Sequence, residues 1–309
     1  MKILGIGNAI IDVICKVEES FLTKNNLTKG TMKLIFDNKE FKNILANLKI
    51  EKTVSGGSVA NSIVGLSQLR NEVGFIGKIS DDNFGKKYED GLKEENVKYF
   101  YKKQKESLPT GTCLILVTPD SERTMCTFLG IAGKINENDV DEHIVKKSEL
   151  IFLEGYLWDE GEPKKAFEKA IKNSSKVAMS LSDLFCVERH KQNFLNLVKK
   201  ELDLTFANEN EIMALIDTKN FNDVITFAKE IKKHIIVTRG EKGAISIFKD
   251  KVTEVNANKK LLIKDLTGAG DLFAAGYLHG FINNLSTEQC LEQGTKLSSE
   301  VIQQIGARL

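Results

Sequence analysis

From residue 148 onward, short β-prone runs alternate with helical stretches, and this alternation restricts the fold more than any other property of the chain. Strands are expected at residues 149–153, 176–180, 203–207, 235–238 and 244–248, with helices between most of them. Repeated βα units join parallel strands through right-handed crossovers and place ligands at the carboxyl ends of the strands. The N-terminal part adds a buried run at residues 2–17, read as one strand continuing outward, and a strand-like run at residues 72–79. Between them, Ser55-Gly-Gly-Ser58 breaks the chain and opens a helix through Leu69.

Residues 98–128 depart from this pattern. Tyr99-Phe-Tyr101, Thr112-Cys-Leu-Ile-Leu-Val117 and Arg123-Thr-Met-Cys-Thr-Phe128 are β-prone, separated by turn residues and free of helical period. They read as an antiparallel meander. The expected architecture is therefore α/β: a doubly wound, mostly parallel central sheet flanked by helices, with a small antiparallel β lid. The core is assigned to residues 1–13, 39–97 and 129–309, and the lid to residues 14–38 and 98–128.

Composition removes several function classes. With 44 basic and 43 acidic side chains in 309 residues, the net charge of +1 argues against a nucleic-acid partner held through its phosphates. The one dense basic run, residues 98–105, reads as a solvated strand. Five cysteines without C-x-x-C spacing and four scattered histidines give no zinc pattern, and free thiols suit a reducing compartment. No apolar stretch is long enough for a bilayer, and the start Met1-Lys-Ile-Leu-Gly-Ile reads as a strand, so the cytoplasm is expected and a membrane partner is not.

The chemistry-bearing segment is Thr267-Gly-Ala-Gly-Asp271-Leu-Phe-Ala274, which sets an acid directly before an apolar helical run. A helix start offers unpaired amides and partial positive charge to a phosphate, and an acid beside it can take a proton from a hydroxyl. A plain glycine turn with an aspartate cap is the alternative. In Val54-Ser-Gly-Gly-Ser-Val-Ala-Asn61, bare backbone at Gly56 and Gly57 and the amide of Asn61 suit vicinal hydroxyls; a turn capped by Ser58 is the alternative. Asp12 is a lone acid in an apolar run and needs a partner, either a sugar diol or a lysine at the sheet rim. Asn208 and Glu211 share a helix face that could hold hydrated magnesium, although N-x-x-E is also close to a capping box. Thr238, Gly240 and Gly243 could lie against a nucleotide or form a plain turn, and Arg123 could swing over a transferring phosphoryl group or lie at the surface. The phosphate cradle G-x-x-x-x-G-K-[ST] is absent.

Taken together, these motifs resemble the ribokinase, or PfkB, family of carbohydrate and nucleoside kinases, nearly end to end from Ile3 to Arg308. Asp265-x-Thr-Gly-Ala-Gly-Asp271 and the G-G-x-x-x-N motif of Gly56 to Asn61 carry the resemblance. Gly111 to Asp120, Arg123-Thr-Met125 and Leu153-Glu-Gly-Tyr-Leu-Trp158 look most like the adenosine-kinase-like branch. The resemblance implies Asp271 as catalytic base, an anion hole of Gly268, Ala269 and Gly270, and Asp12, Gly56, Gly57 and Asn61 on the acceptor. It further implies Asn208 and Glu211 around Mg²⁺, Thr238, Gly240 and Gly243 on ATP, and an activating K⁺ at Asp265 and the Thr267 carbonyl. Leu266 stands where many relatives have Thr.

The expected reaction is in-line transfer of the ATP γ-phosphoryl group to a hydroxymethyl group, with Asp271 a modest base kept ionised by the helix terminus. Adenosine is the first-choice acceptor, and ribose, fructose or a related sugar is the alternative. A sensor that binds nucleoside or sugar without turnover represents a different class. A monomer, or a homodimer paired through the lid, is expected.

Overall fold

The structure is a computed structural model describing residues 1–309 except Lys103, in the 98–105 basic run, and Ser121, which lie outside the described residues. Nine of its strands form one sheet: β1 (Ile3–Ile6), β5 (Val73–Ile76), β6 (Lys98–Tyr99), β9 (Leu150–Glu154), β10 (Val177–Ser180), β11 (Leu204–Asn208), β12 (His234–Thr238), β13 (Ala244–Phe248) and β14 (Lys251–Val255). Their order is β14-β13-β12-β11-β10-β9-β1-β5-β6, parallel from β12 to β6 and antiparallel at the β12–β13 and β13–β14 pairs. The strands from β1 to β13 are buried on both faces, as helices on each side require. β14 was not foreseen, because Lys251-Val-Thr-Glu-Val255 lies at the sheet edge and is mostly polar.

A second, five-stranded sheet contains β2 (Ile10–Lys16), β3 (Met32–Leu34), β4 (Ile50–Gly56), β7 (Gly111–Val117) and β8 (Arg123–Phe128), in the order β3-β8-β7-β2-β4. Its β2–β4 and β7–β8 pairs are antiparallel, while β2–β7 and β3–β8 are parallel. Sheet membership differs from the boundaries expected for core and lid. β2 and β4, set largely in the core by sequence, belong to the smaller sheet, and Lys98–Tyr99, set in the lid, extends the larger sheet by pairing with β5.

The long run at residues 2–17 is two strands in two sheets. The chain breaks at Gly7-Asn8-Ala9, where Glu154, at the end of β9, takes hydrogen bonds from the Asn8 amide (3.2 Å) and its side-chain nitrogen (2.8 Å). A side chain at Gly7 would bring its Cβ within 2.4 Å of the Glu154 carboxylate, so apolar character continues through the break while pairing does not.

One helix, Ala269–Ile282, is buried along almost its whole length, from Leu272 to Leu278. It is apolar on every face because it packs against the sheet and against the helices Ser58–Gln68 and Thr287–Val301. The approach to Thr287–Val301 is backbone to backbone: a Cβ at Gly276 would lie 2.4 Å from the Gln293 carbonyl oxygen. Gly276→Ala is expected to push these helices apart and cost about 1–3 kcal/mol, read as a lower midpoint in urea unfolding.

Candidate active site

The smaller sheet and the carboxyl ends of the larger one bring Asp12, Asn61, Asp271, Asp265 and Arg123 together. Asp271 is the third residue of the Ala269–Ile282 helix, whose N-cap is Gly268 in the left-handed region at φ 80°. A Cβ at Gly268 would come within 2.6 Å of the Ala307 backbone, so both conformation and packing select glycine there. No side chain caps this helix, and among the described residues the Gly270 and Asp271 amides meet no protein acceptor. In front of Gly270 the space is open. An uncapped helix start with free amides is an anion site, and it fits the phosphates of ATP.

The Asp271 carboxylate is clasped by the Ser58–Gln68 helix. Ser58 Oγ donates to Oδ1 at 2.6 Å, Asn61 Nδ2 donates to Oδ2 at 3.0 Å, and Ser62 Oγ donates to the Asp271 carbonyl at 2.8 Å. Burial pushes the carboxyl up to about 6, against the opposing pull of the Ser58 and Asn61 bonds and the Arg308 charge. Asp271 is thus ionised at neutral pH, yet more basic than an ordinary carboxylate.

Gly57 is the N-cap of the Ser58–Gln68 helix at φ 99°, and a Cβ there would meet the Asn8 carbonyl oxygen at 2.2 Å. Ser58 is therefore the first helical residue and serves Asp271 rather than capping. The missing cap is supplied from outside: Glu154 Oε2 accepts from the Val59 amide at 3.0 Å. Glu154 is 1 % exposed, and burial raises its carboxyl to about 7 despite bonds from Val59 and Asn8.

Asp12, on β2, lies against Gly56, where a Cβ would come within 2.5 Å of its Oδ2. Its carboxylate has no hydrogen-bond partner among the described residues. Burial and the nearby Asp271 raise it to about 7, while Arg308 and Arg123 lower it. Among the described residues the lysine salt bridge weighed as an alternative does not form, and a half-buried acceptor without a donor suits a ligand hydroxyl. Asn61 is more engaged than expected, since its Oδ1 accepts from Arg308 Nε at 3.0 Å while its nitrogen holds Asp271.

Asn208 and Glu211 form a closed capping box at the end of β11: Glu211 N donates to Asn208 Oδ1, and the Asn208 amide and side-chain nitrogen donate to the two Glu211 oxygens. Glu211 is buried and raised to about 7. No cluster of three or more metal-ligating side chains occurs among the described residues. This donor set suits a water-mediated contact with Mg²⁺ carried on phosphates, not a direct protein cage. Thr238 ends β12 beside Asn208, and the turn that follows closes through Gly243, which lies against the Val255 carbonyl, while Gly240 faces open space. No hydrogen bond joins Thr238, Gly240 or Gly243 to the Asp271 cluster among the described residues.

Sequence reasoning missed Ser58, Glu154 and Arg308 as site groups. Glu154 carried the signal used for Asp12, a lone acid ending a buried strand. Arg308 carried none, because its partner Asn61 is remote in sequence.

A family model for pfkB family carbohydrate kinases matches residues 2–309. The chain belongs to this family. It is an ATP-dependent kinase acting on a nucleoside or sugar. Adenosine kinase from Sinorhizobium meliloti is 34% identical with a TM-score of 0.89, covering 100% of this chain and 95% of that one. Adenosine kinase 2 of Arabidopsis thaliana is 26% identical over 98% of this chain and 94% of its own length. A 5-dehydro-2-deoxygluconokinase of Clostridium perfringens is 26% identical over 80% of this chain and 78% of its own length. Within the described residues no helix is long and apolar enough to cross a membrane.

Gly270→Ala tests the anion hole. The added methyl meets no atom of the protein within 4 Å, so stability should hold while ATP affinity or turnover falls roughly tenfold or more, read by thermal melting and steady-state kinetics.

Proposed function

We propose that this kinase transfers the γ-phosphoryl group of ATP to a hydroxymethyl group of a nucleoside, adenosine first, with Asp271 as the base. The observation that carries this reading is the carboxylate of Asp271, set one residue beyond the free Gly270 amide and gripped by Ser58 and Asn61. When bound, ATP with its Mg²⁺ supplies the phosphoryl group and neutralises part of its charge.

The chain's own residues do the rest. Asp12 and the bare backbone at Gly56 and Gly57 receive the acceptor's vicinal hydroxyls. Asp271 accepts the proton of the attacking hydroxyl, and the Gly270 and Asp271 amides hold the phosphoryl oxygens as charge shifts among them, the Ala269 amide being engaged by the Leu266 carbonyl. Asn208 and Glu211 meet hydrated Mg²⁺ through water, and Thr238 with Gly240 lines the nucleotide side. The smaller sheet acts as a lid that excludes water, which would otherwise compete as acceptor.

Adenosine is favoured by the names of the Sinorhizobium meliloti and Arabidopsis thaliana relatives. A sugar acceptor is the second reading, favoured by the 5-dehydro-2-deoxygluconokinase relative. An ADP-release assay across nucleosides and sugars decides between them: adenosine should give the highest kcat/KM, and a sugar exceeding it would reverse the assignment.

Asp271→Asn should fold and bind acceptor, yet lose turnover by about 10²–10⁴-fold; near-normal turnover would remove Asp271 from the role of base. The pH profile follows from the raised carboxyls. Asp271 and Asp12 titrate near 6 and 7, and the base works only when ionised, so kcat/KM should be level above pH 7.5 or so and fall as pH drops through about 7 to 6. Activity undiminished at about pH 5 would contradict it.

A further inference from the structure

Asp265 immediately precedes the anion-hole turn, and its carboxylate is filled on every side. Oδ1 accepts from the Thr267 amide at 3.0 Å and the Thr267 hydroxyl at 2.6 Å. Oδ2 accepts from the Gly306 amide at 2.8 Å and from Arg123 Nη1. The carboxylate is 9 % exposed and the Arg123 side chain 20 %.

The resemblance to the kinase family implies a monovalent cation at Asp265 and the Thr267 carbonyl, and the donor set does not fit one. An alkali ion needs lone pairs aimed at it, whereas the groups around Asp265 aim N–H and O–H bonds at the carboxylate, and one of them already carries a positive charge.

We propose that the Arg123 guanidinium is the resident cation of this site, standing in for a monovalent ion and fixing the turn that presents the anion hole. Arg123 is then a positioning residue acting through Asp265, not a group on the phosphoryl oxygens. Its charge arrives from β8, so the smaller sheet holds the Asp265–Thr267 turn directly. The same carboxylate oxygen holds the Gly306 amide, two residues before Arg308, which holds Asn61 and through it Asp271. One ion pair thereby ties the smaller sheet to both halves of the catalytic machinery. The inference rests on the phosphoryl-transfer reading only for its kinetic arm, because the melting arm needs no substrate.

The test compares KCl, NaCl and tetramethylammonium chloride at matched ionic strength. Wild-type turnover and the melting temperature of the nucleotide-free protein should be the same in all three. Arg123→Ala should lower that melting temperature and cut kcat roughly tenfold or more, with both partly restored by added K⁺ or guanidinium at tens of millimolar. Arg123→Lys, which keeps the charge and guards against a misfolded alanine variant, should melt nearer the wild type and show a smaller response to K⁺. Tenfold activation of the wild type by K⁺ would overturn the proposal. So would an Arg123→Ala protein that melts normally and loses kcat without rescue by either cation, since Arg123 would then act on the phosphoryl group itself.

Discussion

The grip of Ser58 and Asn61 on the Asp271 carboxylate is the contact on which the rest of the site depends. It joins two helix starts separated by more than two hundred residues of chain, one after the Gly-Gly turn and one after the Gly-Ala-Gly turn. Each bond to a charged carboxylate contributes about 1.5–3 kcal/mol, and together they fix the rotamer of Asp271. Both helices direct their positive ends at the same space, which explains why an acid is tolerated there and why an anion would bind beside it. The buried Ala269–Ile282 helix makes this geometry rigid, because its glycine contact with Thr287–Val301 leaves no room for sliding.

Charge is concentrated at this edge of the sheet at a cost. Burial lifts the carboxyls of Asp12, Glu154, Glu211 and Asp271 above their ordinary range. A raised carboxyl favours the folded state only while protonated, so these four groups subtract stability as pH rises from about 4 to 7. Glu154 shows what is gained. It supplies the cap that Gly57 cannot, and it holds the Asn8 backbone against which Gly57 packs. The glycine pair is thus left without side chains while its helix is still capped.

Much of this was legible from local signals. The βα alternation located β9 to β12 because parallel strands buried on both faces are continuous apolar runs, and the antiparallel β13, buried in the same way, reads alike. The Gly-Ala-Gly-Asp segment was readable because helix starts and anion sites need the same residues. What escaped depended on tertiary partners. The run at residues 2–17 changes sheets without changing composition, β14 is too polar for its class, and Lys98–Tyr99 pairs with β5 despite neighbouring the meander. Arg308 and Ser58 take their meaning from Asn61 and Asp271, which lie far along the chain. Arg123 was recognised as a site residue, but its engagement with Asp265 could not be read from spacing.

The three-residue link Gly7-Asn8-Ala9 joins strands of different sheets and is also the segment that Glu154 clasps. Glu154 connects this link to the Val59 amide and so to the helix bearing Ser58 and Asn61. The crossing between the two sheets and the helix that grips Asp271 therefore share one carboxylate, so that a change at Glu154 reaches both.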